Sequence, residues 1–463
     1  MKNKKDYREK EMLNAFLSQS KNIIEKEEDF RKNKNNLLIG VESEVAIYKK
    51  DLAICDIEKT RDAIVEDVSD VADVEVGAAH IELRTLPIDI SALSGFKRFK
   101  ESYSKNFQKT LAAAKKQNCS LLRIGTNPFL PIKNTPRTKR PKYSLVPDYY
   151  NKNRPKEKNT KIGFGKNKVD VGDASIVALL QSFQVNIEAK SFNDAVDKMN
   201  RSLFINPYIL GLSANARFLE FIDTKIQDVR MVAWEKSHDT KVSDLRMISW
   251  EKSFDLRTSK ELANGHALRV GLPEKYFKTI DDYFKRMEQF PFILYGPDIA
   301  LQIAIGMTWL DARIKFIGQS AVVELRPLST QPTVEEEILI TLLYLGRLIY
   351  SQIKNEPLLP MKYLKENRLS AMLYGPNKKM WFFLKDGTVK KIPYKIGMKI
   401  EIERAKQGLK HFGLEELLDL DLLELKLCKG SPSDLLAKEI YSNGYESPVE
   451  KMIQCLQKTK MLV

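Results

Sequence analysis

The chain has 463 residues, 43% hydrophobic and 9% aromatic, which is enough apolar material for a sizeable core and excludes wholesale disorder. No stretch reaches ~18 apolar residues, so no membrane span is expected. The net charge of +15 admits an anionic partner, and the four cysteines (Cys55, Cys119, Cys428, Cys455) form no CxxC pair, which argues against a disulfide framework or a zinc site.

Met1–Lys10 is a run of charges with no apolar segment behind it, so no secretory leader is expected and the cytoplasm is the default location. Residues 1–36 read as a polar, partly helical extension. Leu37–Tyr48 is strand-like, and so is His80–Leu86, which Pro87 ends. Ser91–Lys116 predicts an amphipathic helix, with Leu93, Phe96, Phe99 and Tyr103 at helical spacing. Leu121–Thr126 predicts a short strand. Between Lys133 and Lys168, twelve Lys/Arg face two acids, so this segment supplies +10 of the +15. Pro136, Pro141, Pro147 and Pro155 make it a predicted loop. It is either a solvated basic loop or a flap over an anionic substrate. An RNA-binding arm ranks behind both, because regular aromatic interleaving is missing.

Ile176–Ala189 predicts a strong strand. Ser191 with Asp194 predicts a cap and a helix through about Leu203. Asp228–Ser237 and Asp244–Ser253 read DVRMVAWEKS and DLRMISWEKS, a local duplication at an offset of 16. Gln319–Pro327 predicts a strand, and Thr333 with Glu336 caps an apolar helix over 334–353. Beyond Asn355 the pattern is mostly helical, with a hairpin Trp381–Ile392 turning at Asp386-Gly387. The organisation is thus an extension (1–36), a catalytic domain (37–354) and a helical C-terminal region (355–463) packed on it.

The informative pattern has period two, which places residues i and i+2 on one face of a strand. Glu42 and Glu44 share a face opposite Val41, Val45 and Ile47. His80, Glu82 and Arg84 align opposite Ile81 and Leu83; Gln184, Asn186 and Glu188 opposite Phe183, Val185 and Ile187; Glu324 and Arg326 opposite Val323 and Leu325. Each strand offers an apolar face to a helix layer and a polar face rich in carboxylate, amide or arginine. Clustered carboxylates repel unless cations neutralise them, and Mg²⁺ prefers hard oxygen ligands shared with nucleotide phosphates. If the four strands are neighbours, they form a magnesium–nucleotide site, with arginines for substrate carboxylates or a transferring phosphate.

The ordered segments GVESE (Gly40–Glu44), IELRT (Ile81–Thr85), GTNPF (Gly125–Phe129), QSFQVNIEA (Gln181–Ala189), INPYILGLSANARF (Ile205–Phe218), WLDARI (Trp309–Ile314), VELRPLSTQP (Val323–Pro332) and ENRLSAMLYG (Glu366–Gly375) span most of the chain. Together they resemble the plant- and bacterial-type glutamate–cysteine ligases and related carboxylate–amine ligases. The resemblance implies an α+β fold, a glutamine-synthetase-like twisted antiparallel sheet funnel with outer helices and a helical C-terminal extension. It implies ATP and Mg²⁺, with Glu42, Glu44, Glu82 and Glu324 as metal-binding acids, Gln184 and Asn186 near metal and nucleotide, and Arg84, Arg230 and Arg326 for glutamate carboxylates or the transferred phosphoryl group. It implies glutamate as substrate, a γ-glutamyl phosphate intermediate, and cysteine or another amine as acceptor. The duplication leaves open whether Arg230/Trp234 or Arg246/Trp250 lines the site. Ser329 stands where relatives often carry an acid. The competing readings are the same chemistry on a different amine, or a non-catalytic nucleic-acid-binding relative using residues 133–168.

Overall fold

The structure, a computed structural model, describes residues 2–32, 36–51, 53–153, 161–230, 233, 270–288, 296–442 and 447–463. Its centre is an eight-stranded sheet: β1 (Leu38–Tyr48), β2 (Ala72–Val74), β3 (His80–Arg84), β4 (Ile88–Asp89), β5 (Ser120–Leu122), β6 (Ser182–Ala189), β7 (Ala312–Ile317) and β8 (Ser320–Ser329). The order is β7-β8-β6-β1-β3-β2, with β4 and β5 also paired to β1, and all these pairings are antiparallel. The sheet curls into a half-barrel with helices outside it. This is the α+β class and antiparallel architecture expected from the sequence.

Period two holds on every central strand. Ile39, Val41, Val45, Ile81, Leu83, Phe183, Val185, Ile187, Val323 and Leu325 are all buried on the helix side. The helices behind them are α2 (Leu93–Lys116), α4 (Phe192–Ser213) and α6 (Val334–Ile353). Ser191 Oγ accepts from Asp194 N and Thr333 Oγ1 from Glu336 N, so both predicted caps start α4 and α6. α4 runs ten residues past the expected end at Leu203. It is apolar nearly all round and almost wholly buried, so packing on every side carries it through Pro207.

One buried carboxylate ties the underside together. Glu337, in the first turn of α6, accepts from Ser43 Oγ of β1 (3.0 Å), Tyr103 of α2, Gln331 N (3.0 Å) and Arg123 (2.6 Å). Arg123 and Glu337 are both excluded from solvent. The outer edge of the sheet is closed by a side chain: Tyr283 Oη accepts from Ile314 N and donates to Ile314 O, at 3.1 Å each.

Three further expected elements differ in detail. Ala174–Leu179 is a 3₁₀ turn, so the strand begins only at Ser182. The strand expected over Leu121–Thr126 is Ser120–Leu122, and its backbone also bonds the chain's own end through Leu121 and Val463. Within the basic segment expected to be a loop, Pro141–Asn153 is a helix, α3, containing Pro147. Pro141 is its first residue, a position where the missing N–H costs nothing. The helix α7 (Tyr394–Lys410) lies on α6, where Gly346 and Gly408 allow the two backbones to approach; a Cβ on Gly408 would meet Gly346 O at 1.9 Å. The C-terminal hairpin is present as Lys379–Phe383 paired with Val389–Pro393.

Replacing Arg123 with Leu leaves Glu337 buried without its cation. Urea denaturation is expected to show a loss of about 3–5 kcal/mol, the usual consequence of breaking a buried pair from one side.

Candidate active site

The polar face of the sheet lines a cavity of about 730 Å³. Strand register decides what meets there. Glu44 sits opposite Glu82, Glu42 lies between Arg84 and Gln184, and Glu324 lies between Asn186 and Arg313. Glu42, Glu44, Glu82, Gln184, Arg230 and Arg326 all line the cavity. The four strands read from period two are therefore neighbours; Glu42, Glu44 and Glu82 line the cavity, whereas Glu324 is fully buried beside it and neither it nor Asn186 is among the lining residues.

The carboxylates separate into two groups. Glu44, Glu82 and Glu75 form the first, with one oxygen of each within 4.8 Å of the others. Glu44 accepts from Ser182 N (2.8 Å) and Ser182 Oγ (2.9 Å). Burial first, then the Glu75 charge, pushes the Glu44 carboxyl up to about 8. Burial, then Glu75, Glu42 and Glu44, raises Glu82 well above the ordinary carboxylate range. These are hard oxygen donors whose mutual repulsion a divalent cation would relieve, so the set fits Mg²⁺.

The second group is already neutralised. Burial alone would raise the pKa of Glu324, but Arg313, Arg326 and Lys315 outweigh it and hold the carboxyl well below its usual range. Arg326 approaches Glu324 Oε2 at 2.5 Å and Arg313 contacts the same oxygen, while Lys315 Nζ lies 2.7 Å from Oε1. Lys315 also reaches Glu42 Oε1 at 3.3 Å, where Asn186 Nδ2 donates at 3.3 Å.

Two of the expected substrate arginines have other partners in the structure. Arg230 lines the cavity, but all five of its N–H donors are used. Nε and Nη2 bond Asp228, Nη1 bonds the carbonyls of Gln181 and Leu328, and Nη2 also bonds that of Pro327. It pins the β8 bulge to the start of β6, and each of its donors is engaged within the protein. Ser329 donates to Asp228 at 2.7 Å, so the acid at this corner comes from Asp228. Arg84 is half exposed at the rim, 3.6 Å from Asp73, and is not among the cavity's lining residues. Trp234, Arg246 and Trp250 lie outside the described residues.

Four contributors escaped sequence reading. Glu75 follows a three-residue strand, too short for period two to register, although Asp73 and Glu75 do alternate with Val74. Arg313 and Lys315 alternate with Ile314 and Phe316 in ARIKF, a usable signal. Gln181 lines the cavity with both carboxamide atoms buried and unpartnered. From the basic segment, Tyr143, Leu145 and Pro147 of α3 form one wall. The opposite, apolar wall includes Ile299, Ile303 and Met307 beside the short helix α5 (Ala300–Gly306). The N-terminal helix α1 (Lys2–Glu25) braces that wall: Gln19 donates to Pro297 O (2.7 Å) and accepts from Leu301 N (2.8 Å).

A family profile described as glutamate-cysteine ligase family 2 matches residues 38–415. Among solved structures, glutamate–cysteine ligase from Francisella tularensis in complex with AMP aligns with a TM-score of 0.55 at 15% identity, covering 92% of this chain and 89% of that one. A bifunctional glutathione synthetase from Pasteurella multocida aligns with a TM-score of 0.53 at 12% identity, covering 92% of this chain and 52% of that one. At such identities the likeness is one of fold. No curated protein sequence matches. No described helix is long and apolar enough to cross a membrane.

A carboxyl that stays protonated in the folded state up to about 8 favours folding less as pH rises from its ordinary 4.5 toward that value. Mg²⁺ binding requires the ionised form. The rise in Tm caused by Mg²⁺ is therefore expected to be larger at pH 8.5 than at pH 6, and Glu82→Gln should remove most of it. A rise independent of pH in differential scanning calorimetry would refute the coupling.

Proposed function

The chain belongs to glutamate-cysteine ligase family 2, and from that premise we propose that it joins the γ-carboxyl of glutamate to the amine of cysteine, using ATP and Mg²⁺ through γ-glutamyl phosphate. One observation carries the reading: a single cavity has a triad of metal-ready carboxylates, Glu44, Glu75 and Glu82, beside an arginine-rich end built from Arg313 and Arg326. That is the charge distribution phosphoryl transfer to a carboxylate requires, because both reactants are anionic.

Glutamate's γ-carboxylate attacks the terminal phosphorus of ATP and ADP departs. The amine then attacks the acyl carbon, phosphate departs with the C–O bond's electron pair, and the nitrogen loses a proton. Mg²⁺ bound by Glu44, Glu75 and Glu82 would supply charge neutralisation at the phosphates. Arg326 and Arg313 hold anionic groups at the opposite end. Gln184, 3.4 Å from Glu44, and Asn186, on Glu42, order those carboxylates and lie where nucleotide and metal would meet. The partner-free carboxamide of Gln181 offers a further donor and acceptor to substrate. Arg84 at the rim is suited to attracting anions rather than touching the reacting atoms. The apolar wall at Ile299, Ile303 and Met307 suits a base or an aliphatic surface.

Phosphate release with ATP, Mg²⁺ and glutamate, with each amino acid added in turn and products weighed by mass spectrometry, tests this. Release that requires both glutamate and cysteine is the expected result. Glu82→Gln should lose nearly all activity while keeping its fold, and Arg326→Ala should lose about 10²–10³-fold in kcat. Dependence on another amine would replace the acceptor; no release with any pair from folded protein would overturn the reading.

A further inference from the structure

We propose that Gln19 of α1 is a positioning residue for the nucleotide: it fixes the apolar wall of the cavity from outside, and so sets how tightly the base of ATP is held without touching it. This rests on the reading of the chain as an ATP-using ligase. It goes beyond that reading, because α1 precedes residues 38–415, which the family profile matches.

The wall is built on a short segment. Ile299, Ile303, Gly306 and Met307 line the cavity, and they lie along a 3₁₀ turn (Pro297–Ile299) that runs into the seven-residue α5. A helix of about two turns is not stable by itself, and its first N–H groups need acceptors. Neither Gly296 nor Ile299, which precede the turn and the helix, provides a side-chain cap. The cap comes instead from α1, 282 residues away in sequence: Leu301 N donates to Gln19 Oε1 at 2.8 Å. Gln19 Nε2 donates to the carbonyls of Pro297 (2.7 Å) and Asp298 (3.2 Å). One carboxamide thus holds the start of the wall through both its donor and its acceptor.

Gln19 acts as a fixed point because other residues anchor α1. Phe16 is buried and meets Phe284 edge to face, with ring centroids 6.3 Å apart, and Phe284 packs on Phe316 of β7 at 5.6 Å. At the far end of the wall, Arg313 of β7 donates to Ile305 O at 3.2 Å. The segment is therefore pinned at its start by α1 and at its end by the sheet. Loss of Gln19 releases the half that carries Ile299 and Ile303 and leaves the Arg313 end in place. Among the proposed reactants, glutamate and the phosphates are charged and cysteine is small, so the purine base is the group with a broad apolar face to lay on such a wall. The effect belongs to binding of the nucleotide rather than to the chemical step.

The experiment measures ADP binding with Mg²⁺ by isothermal titration calorimetry, and KM for ATP and for glutamate from phosphate release, on wild type and Gln19→Ala. The variant is expected to bind ADP more weakly and to raise the KM for ATP, each by about 3–10-fold, the scale of a lost hydrogen bond. Its KM for glutamate and its kcat should stay as in wild type. A merely structural role would instead lower Tm and the apparent kcat, through a smaller folded fraction, and leave both KM values alone. Gln19→Glu keeps the acceptor for Leu301 N but loses the donor to the two carbonyls, so it should shift the same two constants, and it repeats the test if the Ala variant melts early. ADP affinity and KM for ATP equal to wild type in both variants, or an equal rise in both KM values, would overturn the proposal. A wild type that binds no ADP would overturn the functional reading, and this proposal with it.

Discussion

Carboxylates that repel one another are held within 4.8 Å at Glu44, Glu75 and Glu82, and much of the fold serves to keep them there. At ~4 Å a pair of like charges repels by about 1 kcal/mol in water and about 4 kcal/mol near a protein surface. The repulsion is tolerated because the backbone under it is fixed. Glu44 and Glu82 are opposed by the β1–β3 register, and Ser182 donates twice to Glu44. Below the same strand, Ser43 hangs on the buried Glu337. The lower face of β1 is thus anchored at the residue between the two acids of its upper face.

The rest of the cavity follows from what surrounds each acid. Burial raises the Glu44 and Glu82 carboxyls, whereas three cations hold Glu324 ionised. Two environments a few strands apart thereby keep the same side chain in different states. The arrangement gives the site one end crowded with carboxylates and another built from guanidinium groups, the distribution on which the proposed reaction rests. The walls come from peripheral segments. α3 supplies one, and α5 supplies the other with Gln19 of α1 capping its first turn.

How legible this was depended on length. Three strands with alternating polar and apolar residues disclosed Glu42, Glu44, Glu82 and Glu324, and all four acids face the same side of one sheet. Glu75 did not show, because Ala72–Val74 is too short to establish a period. Strand order was invisible, since β8 and β6 lie more than a hundred residues apart in sequence and meet only through packing. Pro-rich composition suggested a loop at 141–153, yet Pro at a helix start is compatible with α3. The α4 boundary was misjudged because burial on all sides, not amphipathic spacing, sustains that helix.

Arg230 shows why residue type and location together still do not settle a role. It lines the cavity, carries the right charge and sits near the triad, and the Coulomb field it casts helps lower Glu44. Yet an arginine binds a ligand through N–H donors, and each of its five points at Asp228 or a backbone carbonyl. Those carbonyls, on Pro327, Leu328 and Gln181, belong to the bulge of β8 and the approach to β6. The bulge carries Arg326 immediately before it. Arg230 thus fixes the bulge that carries Arg326, and under the proposed function any effect it has on an anion passes through Arg326.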